Sequence, residues 1–531
     1  MKSMDVLVSC LENEGVEYIF GIIGKEVIDL AESLSRSEKI KYVPVRHEQG
    51  AAFMADVYGR VSGKPGVCLA TLGPGATNLL TGIASANLDY SPVVALTGQK
   101  GLESQHQHAH QYIDITKVYE PAAKWAFQMK DANAIPEVIR RSFRKAMGEK
   151  PGAVVIEIPE NIADENVTTN PLAVSNLPKS VPAKESLEFA VKLLNECKQP
   201  FIIIGNGVIR QNAVNEVQAF IQQLACPVTH SFMAKGILAK DHPQNYYTFG
   251  FNEKDYVLRG IEESDLLIVI GFDFVEKLPS EWNQKKIPVL HIDNLPAEVE
   301  EGYPVNAELV GNLKETLQLF ALEEILPRPW VPSGDLKRRI EAAYSINEKK
   351  NGDSSLTIEK ILHAVERFQT DQTLVISDVG SHKVSIARTF QPMHAKQLII
   401  SNGLASMGIG IPGAIGAKLA TPERTVICIT GDGGALMNFA ELETAKRLGL
   451  SFVIILLNDS MLKIEDEMMK KKFGESFGIS FTNPDFISLA NSFGVKAMMP
   501  NNIEEFEAML SEAMSLTKEI VLMDIVLQQK L

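Results

Sequence analysis

Two polar turns, each directly after an apolar run, have the composition of a site for a cation and a diphosphate. Gly-Asp-Gly-Gly at 431–434 follows the run VICIT, and Asn-Asp-Ser at 458–460 follows the run SFVIILL. Asp432 and Asn458 are 26 positions apart, the length of one strand–helix–strand crossover, so two adjacent parallel strands would end with both side chains near one ion. Magnesium favours a few protein oxygens combined with substrate phosphates, and glycine lets backbone N–H groups approach phosphate. An ordinary strand-to-helix turn is the alternative, since Asp-Gly is common in turns.

Glu48 is a candidate proton-sharing group in the segment RHEQG (46–50). It follows the apolar run KYVPV and precedes the small-residue segment AAFMADVYG, which we predict to be a helix. An acid at such a turn can be a simple N-terminal cap favoured by the helix dipole. If it is instead buried against another subunit, its pKa would rise and it could share a proton with a ligand nitrogen. The residues leave both alternatives open.

Three histidines alternate in the segment SQHQHAHQYID (104–114), at His106, His108 and His110. In a strand, all three would point to one face. A metal site would need further ligands that the neighbouring sequence does not display. Polar residues that line a pocket at a strand end, or a solvated loop, are therefore the alternatives.

One glycine pattern argues against a nicotinamide cofactor. Residues 408–413 fit the dinucleotide fingerprint GxGxxG, but the preceding run QLIIS ends seven residues earlier and Pro412 lies inside the supposed phosphate turn. About 20 residues further on, the sequence is the apolar run VICIT, with no acid to bind a ribose. We therefore do not expect a nicotinamide site here.

The elements that must position these residues follow one repeated pattern: a short apolar run, a glycine-rich turn and a segment with helical period. Continuous β-branched runs that alternate with helices are typical of parallel sheets covered on both faces. Prolines and polar residues indicate linkers at 161–184, 326–333 and 346–355. The sequence therefore predicts an α/β protein of three doubly wound parallel-sheet domains, at residues 1–165, 185–325 and 350–531.

Composition excludes several classes of partner. The 531 residues include 52 Lys and Arg against 66 Asp and Glu, a net charge of −14, which disfavours nucleic acids and anionic membranes. No stretch reaches 18 uncharged apolar residues, and the first residues, MKSMDVLVSCLENEG, carry acids where a secretory signal would be apolar. The five cysteines lie far apart without a CxxC pair, so we expect reduced thiols and a cytoplasmic protein.

Four segments together resemble the thiamine-diphosphate-dependent enzymes of the acetolactate synthase and 2-oxo acid decarboxylase group. They are RHEQGAAFMADVYGR (46–60), TLGPGATNLLTGIASANLDYSPVVALTGQ (71–99), SNGLASMGIGIPGAIGA (401–417) and the pair GDGG with LLNDS. The resemblance identifies the three domains as pyrimidine-binding, central and diphosphate-binding.

Finer details resemble the flavin-independent, catabolic kind of acetolactate synthase. These are HQYID (110–114), GFDFVEKLPSEWN (271–283) and GSHKVSIARTF (380–390). The flavin-binding relatives carry an RFDDR-like sequence in the central domain, and none occurs in this chain. The resemblance therefore implies thiamine diphosphate and Mg²⁺ as cofactors, and makes FAD unexpected.

The resemblance also implies roles for individual residues. Glu48 would hydrogen-bond the aminopyrimidine ring, whose other edge would meet the carbonyl of Ala405 and the N–H of Met407, with the Met407 side chain as the wedge between the two cofactor rings. Gln111, and also His110, would face the reacting groups. Magnesium would be held by Asp432, Asn458 and the carbonyl of Ser460. The diphosphate would lie near His382, Gly431, Gly433 and Gly434. Glu48 comes from one subunit of this family and the magnesium site from its neighbour, which implies a homodimer at least, and a homotetramer as the expected assembly.

The implied reaction is decarboxylation of a 2-oxo acid such as pyruvate, followed by carboligation to 2-acetolactate. Glu465, in NDSMLKIEDEMMKKK (458–472), occupies a position where the synthases have an apolar residue. A carboxylate there could protonate the intermediate and favour aldehyde release, and it would repel a second anionic pyruvate. Alternatively, Glu465 begins a charged helix and points to solvent. A non-oxidative decarboxylase, or a lyase or carboligase with another substrate, is therefore the alternative function.

Overall fold

The computed structural model describes residues 1–175, 177–344 and 354–527, and these form three six-stranded sheets in which all paired strands are parallel. The first sheet has the order β2-β1-β3-β4-β6-β5. Its strands are β1 Tyr18–Gly21, β2 Lys41–Pro44, β3 Gly66–Ala70, β4 Val93–Gln99, β5 Trp125–Gln128 and β6 Ala153–Pro159. The surrounding helices are α1 Ser3–Asn13, α2 Ile28–Leu34, α3 Glu48–Ser62, α4 Pro74–Leu88, α5 Ile115–Tyr119, α6 Ile135–Met147 and α7 Glu160–Ala163.

The second sheet has the order β12-β11-β10-β7-β8-β9. Its strands are β7 Pro200–Ile204, β8 Val228–His230, β9 Asn245–Thr248, β10 Leu266–Ile270, β11 Val289–Asp293 and β12 Val305–Val310. The helices of this region are α8 Lys184–Glu196, α9 Gly207–Arg210, α10 Val214–Leu224, α11 Leu258–Glu262, α12 Pro279–Trp282, α13 Leu313–Phe320 and α14 Leu336–Tyr344.

The third sheet has the order β14-β13-β15-β16-β18-β17. Its strands are β13 Thr373–Ser377, β14 Leu398–Ile400, β15 Thr425–Gly431, β16 Phe452–Asn458, β17 Lys496–Met498 and β18 Ile520–Val526. The helices are α15 Ile358–Phe368, α16 Ser381–Thr389, α17 Gly410–Ala420, α18 Asp432–Met437, α19 Glu441–Arg447, α20 Lys463–Phe473, α21 Phe486–Ser492 and α22 Ile503–Ser515.

The prediction of three doubly wound parallel sheets is confirmed. The apolar runs that suggested it form buried strands: β3, β4, β7 and β10 are buried at every position, because helices cover both faces of a parallel sheet. The first two sheets lie within the predicted ranges 1–165 and 185–325. The predicted limits at 350 and 531, and most of the linker 346–355, lie outside the described residues.

Helix α3 of the first sheet packs directly on helix α17 of the third. A Cβ on Gly416 would lie 2.3 Å from the carbonyl oxygen of Met54, and one on Gly413 would lie 3.0 Å from a methyl group of Val57. Gly413, the last glycine of the false dinucleotide fingerprint, and Gly416 beyond it thus permit close helix packing. As a result, the helix that begins with Glu48 and the helix that follows Met407 form one apolar core.

In the part of the chain that the structure describes, no helix combines the length and the apolar character needed to cross a bilayer.

Candidate active site

A cavity of about 180 Å³ lies at the carboxyl ends of the strands of the third sheet. Eight of the predicted site residues line it: Glu465, which is described below, and His382, Ala405, Met407, Gly431, Asp432, Gly433 and Gly434. The last seven come from the first turn of α16, the irregular segment before α17, and the turn between β15 and α18. Chain segments about 50 residues apart therefore meet where parallel strands end.

Asp432 is held at the junction of two neighbouring strands. Because β15 pairs with β16, with Gly431 opposite Leu457, the turns that follow them lie side by side. Asp432 Oδ2 accepts hydrogen bonds of 2.7 Å from the backbone N–H of Ser460 and from Nδ2 of Asn483. The predicted proximity of the two turns, one crossover apart, is therefore observed.

The side chain of Asn458 lies close to Asp432, because its Oδ1 and Oδ2 of Asp432 both accept from Nδ2 of Asn483. Nδ2 of Asn458 donates to Oδ1 of Asp524 on β18 at 3.1 Å, and its Oδ1 accepts from Asn483 at 2.8 Å. Neither Asn458 nor Ser460 lines the cavity, whereas Asp459 and Met461 do.

Asp459 is a site residue that sequence reasoning missed. Burial, with the nearby charge of Asp432, raises the pKa of Asp459 from its ordinary value to about 6. Two carboxylates that share a cavity repel each other when both are ionised, and a cation between them removes that repulsion. Among the described residues, this cavity included, no group of three or more His, Cys, Asp or Glu side chains has the arrangement of a metal site, so a cation here needs other oxygens as well.

His382 presents a buried nitrogen that has no hydrogen-bond partner among the described residues, its Nε2. Its ring packs against the turn at Gly380, where a Cβ would lie 2.9 Å from the ring. Burial lowers the pKa of His382 to about 4, so the imidazole is neutral at pH 7. A buried polar atom without a partner at a cavity wall indicates a ligand that supplies one.

The segment of Ala405 and Met407 is fixed by two residues that the sequence did not single out. The buried carboxylate of Asp378 accepts from the N–H of Gly408 at 2.9 Å and of Gly410 at 3.2 Å. Asn438 Nδ2 donates to the carbonyl of Gly408 at 2.9 Å. These contacts hold Met407 so that its Cε is 3.2 Å from the position of a Cβ on Gly433, so the two residues lie in close contact.

Glu465 lies on the first turn of α20, at the wall of the same cavity, and it is solvent-exposed in the single chain. The sequence offered two alternatives for Glu465: a side chain at the site, or a side chain that begins a charged helix and points to solvent. Both describe part of what is observed. Lys463 on the same turn also lines the cavity.

Glu48 lies at the carboxyl edge of the first sheet and is 7% exposed. It is the first residue of α3, but the cap is His47, whose Nδ1 accepts from the N–H of Gln49 at 3.1 Å. The alternative that Glu48 is the N-terminal cap is therefore wrong. Its Oε2 instead accepts from Nδ2 of Asn78 at 3.0 Å, and a Cβ on Gly75 would lie 3.4 Å from its Oε1.

His110 and Gln111 lie in an irregular loop and are exposed. The carbonyl of Gln111 approaches the turn before α4, where a Cβ on Gly73 would lie 2.7 Å from it. His106 and His108 are exposed in the same loop, so the alternating histidines do not form a strand. Glu48 and Gln111 flank one turn of the first sheet, and neither lines the cavity of the third.

The chain is similar along nearly its whole length to acetolactate synthases. It is 33% identical to the probable acetolactate synthase large subunit of Methanocaldococcus jannaschii, over 99% of this chain and 92% of that protein. It is 33% identical to the acetolactate synthase large subunit of Haemophilus influenzae, over 99% and 94%, and 29% identical to the acetolactate synthase of Bacillus subtilis, over 98% and 92%. Residues 1–118, 187–320 and 378–525 match the family models described as thiamine pyrophosphate enzyme, N-terminal TPP binding domain, central domain and C-terminal TPP binding domain.

This chain belongs to the thiamine pyrophosphate enzyme family. Thiamine pyrophosphate is thiamine diphosphate under its other name. In this member of the family, each half of the candidate site falls in one of the two matched TPP binding domains: Glu48 and Gln111 in the N-terminal one, and the cavity around Asp432 in the C-terminal one. One chain of this thiamine pyrophosphate enzyme therefore carries two half-sites that do not meet within it.

The residues around the cavity fit the cofactor of the family. The unpartnered Nε2 of His382 can donate to a phosphate oxygen, the glycines at 433 and 434 leave backbone accessible, and the paired carboxylates of Asp432 and Asp459 suit a divalent cation that carries a diphosphate. Met407 stands over Gly433 as an apolar support.

Proposed function

We propose that this protein is a thiamine-diphosphate-dependent acetolactate synthase, which decarboxylates pyruvate and joins the resulting two-carbon unit to a second pyruvate. The observation that carries the proposal is similarity over the whole chain to acetolactate synthases, together with a cavity whose residues fit the cofactor. When bound, thiamine diphosphate supplies a thiazolium ring that accepts the electron pair left by carbon dioxide.

The residues of the third sheet would bind and orient the cofactor. His382, Gly433 and Gly434 would hold the diphosphate, and Met407 would hold the two rings close together. Asp432 would hold Mg²⁺. Two residues are candidates to complete its ligands: Asn458, whose Oδ1 accepts from the same Nδ2 of Asn483 as Oδ2 of Asp432, with the carbonyl of Ser460, and Asp459, which lines the cavity.

Glu48 would hold the proton shared with the aminopyrimidine nitrogen, and Asn78 would fix the direction of its carboxylate. Glu48 and Asp432 occupy separate half-sites, so we propose a homodimer in which Glu48 of one subunit completes the cavity of the other. Exposed apolar side chains beside the cavity support this: Leu404 is 40%, Leu436 is 38% and Met437 is 54% exposed in the single chain. The homotetramer rests on the resemblance alone.

The proposal includes no FAD. Where flavin-binding relatives carry the RFDDR-like sequence, this chain places Asp273 in a buried ion cluster, with Lys150 Nζ at 3.1 Å from its Oδ1 and Arg210 also donating to it. The proposal also places the protein in the cytoplasm, since all five thiols are buried and unpaired, with neither nucleic acid nor membrane as a partner.

Release of an aldehyde is the second candidate function, because Glu465 lies at the cavity wall. A carboxyl group there could deliver a proton to the intermediate before a second 2-oxo acid arrives.

One experiment separates the two functions: the purified protein is incubated with thiamine diphosphate, Mg²⁺ and pyruvate, and the products are identified. We expect acetolactate. Acetaldehyde as the sole product would overturn the synthase in favour of a decarboxylase, and no turnover would overturn pyruvate as the substrate.

A further inference from the structure

Glu441 is a buried carboxylate that joins the two half-sites of one chain. It is 1% exposed and begins α19, directly after the helix that carries Asp432. Its Oε1 accepts two hydrogen bonds of 3.0 Å, from the backbone N–H groups of Arg46 and His47. These are the two residues that precede Glu48, so a side chain of the third domain fixes the turn that presents Glu48.

The carboxylate is itself held in one orientation. Its Oε2 accepts from Oγ1 of Thr444 at 2.7 Å. A Cβ on Gly50 would lie 2.7 Å from Oε1, so only a glycine at position 50 leaves room for it. The carboxylate of Glu441 is therefore packed closely against Gly50 of the first domain and held by a hydrogen bond from Thr444 of the third.

The same stretch of chain also contacts the segment of Met407. The N–H of Glu441 donates to the carbonyl of Asn438 at 3.0 Å, and Asn438 Nδ2 donates to the carbonyl of Gly408 at 2.9 Å. Within ten residues, the chain thus contacts the cavity through Asp432, the Met407 segment through Asn438 and the Glu48 turn through Glu441.

We propose that Glu441 is a positioning residue that sets the direction of Glu48 by binding the N–H groups of the turn before it. The inference rests on the proposed function, in which Glu48 completes the cavity of the other subunit. In the proposed dimer, Glu441 therefore links two cavities: the one in its own subunit, and the one in the partner subunit that its own Glu48 completes. Displacement of α18 and α19 at the first cavity then moves Glu48 at the second.

The test measures activation of the cofactor separately from its binding. The rate at which the C2 proton of bound thiamine diphosphate exchanges with deuterium reports on Glu48, whereas the apparent Kd for thiamine diphosphate with Mg²⁺ reports mainly on the Asp432 cavity. In Glu441→Ala we expect C2 exchange slowed about 10- to 100-fold, with the Kd changed less than about threefold. If Glu441 only joined the domains, Glu441→Ala would lower the melting temperature, and the exchange rate and the Kd would change to a similar extent.

Two further variants complete the series. Glu441→Gln keeps an oxygen that can accept both N–H groups and should retain most of the exchange rate. Glu443→Gln is the matched control, because Glu443 is exposed on the same helix, and it should behave as the wild type. If Glu441→Ala fails to fold, Glu441→Asp, which shortens the side chain by one methylene, is expected to slow exchange in the folded protein.

Wild-type exchange in folded Glu441→Ala, or in folded Glu441→Asp where the alanine variant does not fold, would overturn the inference. Glu48→Gln is measured in parallel: if it exchanges at the wild-type rate, the proposed role of Glu48 is wrong, and this inference with it. Slow exchange in Glu48→Gln with wild-type exchange in Glu441→Ala would overturn the role of Glu441 alone.

Discussion

Asp459 lines the same cavity as Asp432, and the charge of Asp432 adds to burial in raising the pKa of Asp459. Without a cation, the folded protein therefore resists ionisation of the second carboxyl group. This relationship makes Asp459 a candidate partner of Asp432 in the proposed binding of Mg²⁺.

Asp459→Asn should therefore raise the Mg²⁺ concentration needed for half-maximal activity by about tenfold or more, since a charged ligand is lost. Asn458→Ser is the comparison: it removes hydrogen bonds to Asp524 and Asn483 and should lower stability more than Mg²⁺ affinity. Titration of activity with Mg²⁺ and thermal unfolding measure the two effects. A larger change in the Mg²⁺ requirement for Asn458→Ser would favour Asn458 as the ligand.

The same pKa predicts how the stability of the metal-free protein depends on pH. The pKa of Asp459 is about 6 in the folded protein, against an ordinary 3.8. Ionisation of Asp459 therefore lowers the free energy of unfolding, and this loss of stability is absent below pH 3.8 and fully present above pH 6. Asp459→Asn should therefore raise the melting temperature of the metal-free protein at pH 8 and have little effect at pH 4. Equal shifts at both pH values would contradict this assignment.

His382→Phe should weaken cofactor binding through loss of the unpartnered Nε2. The Kd for thiamine diphosphate should rise about tenfold through loss of one hydrogen bond. The phenyl ring also loses the hydrogen bond between His382 and the backbone of Asp378, so the apo melting temperature should fall. Calorimetric titration and thermal unfolding provide the two values. His106→Phe, in an exposed loop, is the control and should leave the Kd unchanged.

Asp378→Asn should destabilise the protein by about 1–3 kcal/mol, because the new amide presents donors where Asp378 now accepts from three N–H groups and the Thr430 hydroxyl. The loosened Met407 segment should also weaken cofactor binding. Denaturant unfolding checks the first effect and cofactor titration the second. Asp371→Asn, at a position that is 71% exposed, should change neither.

Glu465→Val should increase the fraction of acetolactate among the products from pyruvate, because removal of the carboxylate removes both a proton donor and a repulsive charge from the cavity wall. The control is Glu467→Val on the exposed part of the same helix. Product ratios at saturating pyruvate give the answer, and an unchanged ratio would mean that Glu465 does not act on the intermediate.

Sequence reasoning located the glycine-rich turns and the crossover between them, because apolar runs and turn residues are local signals. It did not single out Asp459, because the burial and the nearby charge of Asp432 that raise its pKa arise only in the folded chain. His47, and not Glu48, caps α3, because the helix begins at Glu48 and the side chain of the residue before it accepts from Gln49. Residue types alone do not specify at which of the two positions the helix begins. Asp378, Asn438 and Glu441 were missed because each acts on backbone groups far from it in sequence, and such contacts leave no motif.

The glycine-mediated packing of α3 on α17 has a consequence for how the chain can be cut. Met54 and Gly416 meet at backbone distance, and the buried carboxylate of Asp89 accepts from the hydroxyl of Ser401 and the N–H of Gly403, so the first and third domains adhere to each other without help from the segment that connects the first to the second. A protease that cleaves in the largely exposed stretches 168–175 or 177–181 would leave two polypeptides that copurify as one particle.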